Sequence, residues 1–370
     1  MNTNQIYTIV NSIVDQAIGD SGIVATDTQG LVSLGNVVLD SSTNTEAFLN
    51  TLAQRIGRTI YRFRAYNNKF TDMIVSDMEW GAILQKIRVE MPVAESDEMY
   101  GLTDGVAVDH YVVAKPKAHQ KLFVTRTPYQ FKITIQRETL KEAFLSAEAM
   151  GAFIALVFGE VRNAIELSLE NLGRLTMDAA ISETSQATQV VNLVYDYNYD
   201  TGSSLTAATA MYSADFLRYA IYRINNVIDM MQDMSVLYCD GNLPTFTNLE
   251  NMRVKVLSKF QRRLETVVDY AAFHDQFTKI DKQYTTVNFW QAEKSPDEIN
   301  IKKPSDGSAF TLSNIVAVIH DRDAFGIYQI DETVLTTPIN AAGAYYNQYW
   351  HEKQGRFVDT AENLVVFTLN

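Results

Sequence analysis

The chain has 370 residues, 46% of them hydrophobic and 20% charged, which gives room for two or three compact units at about 150 residues each and excludes general disorder. With 31 Lys and Arg against 44 Asp and Glu, the formal net charge of −13 excludes a generally basic nucleic-acid coat, because neutralising phosphates takes an excess of cations. Cys239 is the single cysteine, which excludes an intrachain disulfide and a cysteine-rich zinc site and points to a reducing compartment.

The first basic residue is Arg55, so nothing at the start resembles a positively charged secretory signal. Ile6, Ile9, Ile13 and Ala17 fit one face of a short helix. From Ser21 to Ser42 the chain is rich in Gly, Ser, Thr and Asn, which reads as an extended arm that needs another surface to lie on. A second helix is expected from about Glu46 to Arg64. Arg55, Arg58 and Arg62 share one of its faces, either solvated or set against a neighbour's acidic surface or nucleic acid.

From Trp80 to Ile135 the texture is that of strands: Ile83 to Met91, Val106 to Val113 and Leu122 to Thr127. This long two-stranded excursion carries Arg88, Glu90, Lys115 and Lys117 and little apolar core of its own. An isolated hairpin is marginal in water, so it expects a partner surface. Those four charged residues are the candidates for contact with it.

Thr139-Leu-Lys-Glu142 matches a capping box opening a short helix that ends near Ala143 or Phe144. Met150, Ile154, Val157, Val161, Ile165, Leu172, Leu175 and Ala179 then recur at helical spacing. A helix from about Ala147 to Ile181 would span roughly 50 Å, long enough to act as a beam. Its apolar run from Met150 to Gly159 is closed by Glu160 and Arg162, short of the roughly 20 residues of a membrane span. Gly173 should weaken it by under about 1 kcal/mol.

Ser213 and Asp215 open an amphipathic helix with the stripe Leu217, Ala220, Ile221, Ile224, Val227, Ile228 and Met231. Val236 to Cys239, Arg253 to Leu257 and Val287 to Trp290 read as strands, Leu264 to Ala271 as a helix, and Lys294 to Gly307 as a loop. Strands follow at Ile315 to His320, Phe325 to Ile330, Tyr345 to Phe357 and Leu364 to Leu369.

Chemistry is hard to find in this text. There is no glycine-rich phosphate loop, no nucleophile elbow and no His-Glu-x-x-His helix. The histidines, His110, His119, His274, His320 and His351, are isolated from one another. Asp196, Asn198 and Asp200 alternate like the start of a calcium loop. The required glycine position holds Thr201 and the closing acid position holds Ala207, so a polar turn between strands is expected instead. Asp321 and Asp323 read as a turn. Cys239 reads as a small buried core residue in a strand. Tyr345, Tyr346, Tyr349 and Trp350 read as core or interface aromatics, with only Lys353 and Arg356 nearby to support base stacking. No catalytic residue, cofactor or metal ligand is expected, and the fold class is α+β.

Three stretches carry a resemblance: Phe131 to Phe144, Val316 to Phe325, and Gly343 to Trp350 followed by Glu362 to Phe367. With the order arm, long hairpin, long helix, mixed domain and returning strands, the chain resembles tailed-phage major capsid proteins of the Hong Kong ninety-seven fold, most of all those of the phi-twenty-nine group. The resemblance implies an N-terminal arm at 1–76 and an extended hairpin loop at 77–136 lying across a neighbour. It also implies a peripheral domain at 137–183 built on the long helix as a spine, an axial domain at 184–314, and peripheral strands at 315–370. It implies no enzyme and no membrane, but self-assembly into hexamers and pentamers of an icosahedral virion, formed in the host cytoplasm. Scaffolding, portal and decoration proteins and non-specific contact with packaged double-stranded DNA would complete the partners. Two other readings remain open at this point. One is a nanocompartment shell of the same fold around protein cargo, and the other is an enzyme or binding domain whose site is assembled from scattered residues.

Overall fold

The computed structural model describes residues 3–19, 22–59, 66, 68–77, 84–94, 98–101, 104–107, 111, 113, 115–184, 187–241, 243–271 and 284–370. Three helices come first: α1 (Thr3–Ile18), α2 (Thr28–Leu39) and α3 (Ser42–Thr59). Here the extended arm expected from Ser21 to Ser42 gives way to a helix. Asp27 caps α2 by accepting from the Gly30 backbone N–H at 2.7 Å, and Leu31, Leu34 and Val38 lie buried along it. Nor do these helices reach away from the body. Ile6, Val10, Ile13 and Phe48 belong to the same core as Met150 to Leu172 of the long helix, so the segment packs on its own chain.

Next come β1 (Ile74–Asp77), β2 (Leu84–Val89), β3 (Ala118–Phe123) and β4 (Arg126–Gln136), then α4 (Arg137–Ala143) and α5 (Ala147–Ser182). The chain passes from β4 directly into α4, whose N-cap is Gln136, so Thr139 lies inside the helix and does not cap it. Ser146 caps α5 through the Ala149 N–H. The chain after α5 holds β5 (Val190–Asn192), α6 (Leu193–Thr201), α7 (Ala207–Ala210), α8 (Ala214–Gln232), β6 (Met252–Leu257), α9 (Ser258–Ala271), β7 (Tyr284–Val287), β8 (Ile299–Lys302) and β9 (Ala309–Leu312). Ser213 caps α8 as its sequence predicts. The polar turn expected at Asp196 to Asp200 is helix α6, capped by Asn192. Val236 to Cys239 is a turn beside the Ser235–Thr245 bridge, not a strand. Lys294 to Gly307 contains β8, which pairs with β9. β10 (Ile315–Asp321), β11 (Phe325–Thr336), β12 (Tyr345–Val358) and β13 (Leu364–Thr368) complete the fold.

Two sheets organise these elements, in the orders β1-β11-β12-β4 and β5-β13-β10-β6-β7. Helices α1 to α5 and the inner face of the first sheet, with Ile135, Ile327, Tyr346 and Trp350, form one core. Helices α6 to α9 and the second sheet form the other, and it also takes in Met177, Ala180 and Ile181 at the far end of α5. The spine helix therefore belongs to both cores. Gly173 has a packing reason: a Cβ there would meet Phe70 Cβ at 3.0 Å, where the chain before β1 crosses the spine.

At the seam between the cores α5 presents a buried polar ladder, Glu170, Arg174 and Asp178. Arg174 pairs with Glu170 at 2.9 Å and lies over the Phe289 ring at 3.8 Å. The Tyr66 hydroxyl donates to Glu170 at 2.5 Å. Burial pushes the Asp178 carboxyl up to about 8, against the pull of Arg174. In the unfolded chain this group titrates near 3.9, so folding takes up a proton between there and about pH 8, and stability falls as pH rises through that window. Asp178→Asn should reduce that slope and leave the variant on the order of 3 kcal/mol more stable than the parent at pH 9. Urea unfolding at pH 6 and pH 9 checks this; an unchanged slope would show that Asp178 ionises freely in the fold.

Candidate intersubunit surface

Strands β2 and β3 pair antiparallel, with Leu84 opposite Phe123 and Val89 opposite Ala118. The base of this hairpin rests on the body. Phe123 meets Phe357 with ring centroids 5.5 Å apart, and Leu84 and Ile330 pack against them and Tyr328. The Tyr328 hydroxyl donates to the Phe123 carbonyl at 3.3 Å. Gly355 makes room for this ring, since a Cβ at that position would lie 2.1 Å from it.

Charge fastens the same base. Lys86 reaches Asp359 at 2.9 Å and Glu362 at 2.5 Å, and Lys121 reaches Asp359 at 3.0 Å. Burial alone would raise the Asp359 carboxyl, but the Lys86 ammonium and then Lys121 outweigh it and hold Asp359 below the usual range. Burial likewise works against the Lys86 charge, and the two carboxylates lift its pKa above the ordinary lysine value. A groove of about 690 Å³ opens beside this clamp, lined by Met91, Pro92, Val93, Leu243 and Pro244 among others.

Beyond the base, apolar side chains face solvent. Ile87, Val89, Met91, Met99, Val106 and Val113 are exposed, and Val93 and Tyr100 keep 86% and 85% of their surface. Exposed apolar side chains in such number on one segment point to a site of association.

The charged candidates fall into groups. Arg88 donates from Nη1 to the Ala361 carbonyl of its own chain at 2.9 Å. Glu90 meets His119 at 2.8 Å and Lys117 at 3.6 Å on the same hairpin, and the hydrogen bond with His119 is the main reason its carboxyl sits below the usual range. Lys115 and Lys117 are exposed. Arg55 and Arg58 fall on α3, where only the backbone is described, and Arg62 lies outside the described residues. The hairpin base, with Lys86, Lys121, Asp359 and Tyr328, was not singled out from sequence. Its partners lie more than 200 residues apart in the chain, and no local pattern announces them.

The weighed chemistry has structural employment. Asp196 pairs with Arg223 at 3.0 Å, Asp200 accepts from Tyr219 at 2.6 Å, and Asn198 exchanges bonds with the Leu205 backbone, so this triplet ties α6 to α8 and to the loop after it. Cys239 is buried in its turn, and burial pushes the thiol up. His320 is buried with Nδ1 donating to the Asp321 carbonyl, and burial holds the ring down to about 3. His110 and His274 lie outside the described residues. Among the described residues no group of three or more His, Cys, Asp or Glu is placed to hold a metal ion, and no helix is long and apolar enough to cross a membrane.

Comparison with known proteins gives a consistent answer. The family model of the Phi29-like phage major capsid proteins matches residues 10–368. The major capsid protein of Bacillus phage PZA is 22% identical over 366 residues, covering 98% of this chain and 72% of the relative. The capsid structure of Staphylococcus phage Andhra superposes with a TM-score of 0.56 at 13% identity, over 85% of this chain and 87% of that one. That of cyanophage P-SCSP1u gives 0.51 at 12% identity, over 84% and 90%.

Proposed function

The chain belongs to the family of Phi29-like phage major capsid proteins, and on that footing we propose that it closes into hexamers and pentamers of an icosahedral shell, each hairpin lying on a neighbouring copy. It is a structural subunit of a bacteriophage head, not an enzyme. The family settles the choice against a nanocompartment and against a scattered active site.

The observation that supports the assembly reading is the hairpin, held at its base and exposing Met91, Val93, Met99, Tyr100, Val106 and Val113 among its described residues. Bringing a neighbour over it removes that surface from water at about 25 cal/mol per Å². The proposed division has 1–76 as the N-terminal segment, 77–136 as the extended loop, 137–183 with 315–370 as the peripheral domain and 184–314 as the axial domain. Of the charged candidates, Lys115 and Lys117 are the proposed contacts on the hairpin, and Arg55, Arg58 and Arg62 remain proposed contacts in the N-terminal segment. Scaffolding, portal and decoration proteins, non-specific contact with packaged double-stranded DNA, and assembly in the host cytoplasm belong to the same proposal.

Electron microscopy of the expressed chain, alone and with a candidate scaffold, should show closed shells with five- and sixfold clusters. Reversing Lys115 and Lys117 to Glu should cut particle yield while leaving the unfolding curve of the subunit unchanged. Empty fields and monomeric sedimentation of the parent chain in both preparations would reject the reading.

A further inference from the structure

The inner face of the first sheet is not apolar throughout. Alternation along β12 turns Tyr346, Gln348, Trp350, Glu352 and Gln354 to one side, and all five are buried. Tyr346 and Trp350 share a core with Phe158, Val161 and Ile165 of α5. Gln348 is tied to α3: its Nε2 donates to the Leu49 carbonyl at 3.2 Å and to Thr336 Oγ1 at 3.3 Å, and that hydroxyl donates to Asn50 Oδ1 at 2.7 Å. Glu352 is held by less. Gln329 Nε2 donates to its Oε2 at 3.3 Å, and among the described residues its Oε1 has no hydrogen-bond partner. A buried carboxylate supplied so poorly is costly to keep charged.

The strand register sets a second carboxylate beside it. Glu332 of β11 stands directly opposite Glu352, and side chains directly opposite share a face. On the other flank β4 places Tyr129 opposite Glu352, and burial raises the pKa of that hydroxyl, so it stays neutral. Helix α5 contributes Arg162 and Glu166, which pair with each other at 3.4 Å. Helix α3 carries Arg55 and Arg58, described in backbone only. Burial pushes the Glu352 carboxyl up to about 7, Glu332 adds to the rise, and Arg162, Gln329 and Gln354 oppose it. In the unfolded chain the same group titrates near about 4.3, so folding takes up a proton. The contribution of neutral Glu352 to the closed core is full below that range and is lost as pH rises through about 7.

We propose that Glu352 is a proton-operated latch between the first sheet and the spine helix. With its proton it lets α5 close on the sheet. Without it the carboxylate draws Arg162 away from Glu166 and loosens the core along β12 and the first half of α5. Geometry selects Arg162 as the moving partner. Its present contact is an i,i+4 pair with 40% of the Arg162 side chain exposed, and such a pair is weak beside the demand of a buried carboxylate for a counter-charge. Because α5 belongs to both cores, loosening one end of it changes how the second core is carried on the first. The device lies within one chain and needs no neighbouring copy to work.

Hydrogen–deuterium exchange of the purified subunit at pH 6, 7 and 8, corrected for the intrinsic rate at each pH, tests this. Peptides covering 158–169 and 346–354 should lose protection about tenfold between pH 7 and pH 8, while 364–368 of the second sheet changes less. Glu352→Gln should abolish that local loss. Glu332→Gln should move it to higher pH, because removing a neighbouring negative charge favours ionised Glu352, and Arg162→Gln should move it to lower protection at pH 8 by removing the counter-charge. Asp178→Asn, which removes the other raised carboxyl of α5, should leave the difference between the two sets of peptides in place. A parent chain whose 346–354 protection is the same at pH 6 and pH 8, or a Glu352→Gln chain that loses it as the parent does, overturns the inference. The shell reading is untouched by either result, since it rests on assembly and not on this core.

Discussion

A subunit carrying Asp72→Ala should lose about 3–5 kcal/mol of stability, a large share of what a domain of ordinary stability has. The reason is Lys255, which sits on β6 in the interior of the five-stranded sheet with 0% of its side chain exposed. Both oxygens of Asp72 receive its ammonium, at 2.9 and 2.7 Å, and the Phe70 ring lies 4.9 Å away. Burial drags the Lys255 pKa below the ordinary lysine value, and Asp72 is what opposes that fall. Remove the carboxylate and a cation is left in apolar surroundings without its counter-charge. Lys255→Met in the same chain should return most of the loss, since a hydrophobic side chain of similar length has no charge to strand. Urea unfolding of the single and double variants measures both effects. A double variant no more stable than Asp72→Ala alone would mean that the cost comes from the 71–73 turn and not from the stranded charge.

Gly355→Val should cost about 3 kcal/mol and abolish particle formation. A side chain at this position meets the Tyr328 ring at separations near 2 Å, too close for any small adjustment. Tyr328 is fully buried and supports Phe123, so displacing the ring unseats the hairpin where it joins the body. The expected signature is local: limited proteolysis between Val89 and Ala118 should accelerate more than the global unfolding midpoint suggests. Tyr328→Ala removes the obstructing ring, so the two substitutions together should cost less than their sum. Additive costs in the double-variant cycle would place the damage elsewhere on β12.

Elements with strong apolar periodicity were legible from sequence. The spine helix, α8, β10, β12 and β13 stand where their spacing puts them, because each buries a whole stripe or face. Where composition was read in place of pattern, the reading failed. Helix α2 hides in Gly, Ser and Asn, although Asp27 followed by Leu31, Leu34 and Val38 already spells a cap and a face. At Thr139 the capping-box motif is present, but β4 runs into α4 three residues earlier and the tertiary context takes precedence. Asp196 and Asp200 look like ligands or turn formers until Arg223 and Tyr219 arrive from α8. That the hairpin has little apolar core of its own was visible from its composition. The clamp at its base was not, because Lys86 and Asp359 stand 273 positions apart, a separation that no local window contains.

The position of β13 between β5 and β10 has a bearing on the order of events in the cell. It is translated after every other strand of its sheet, yet both of its neighbours hydrogen-bond to it. Until it has emerged, β5 on one side and β10 on the other have no link across the gap, and the second core stays open. Contacts that span so much chain also form slowly. A chain on which β13 has not yet emerged therefore lacks a finished second core, although the first core does not depend on that strand.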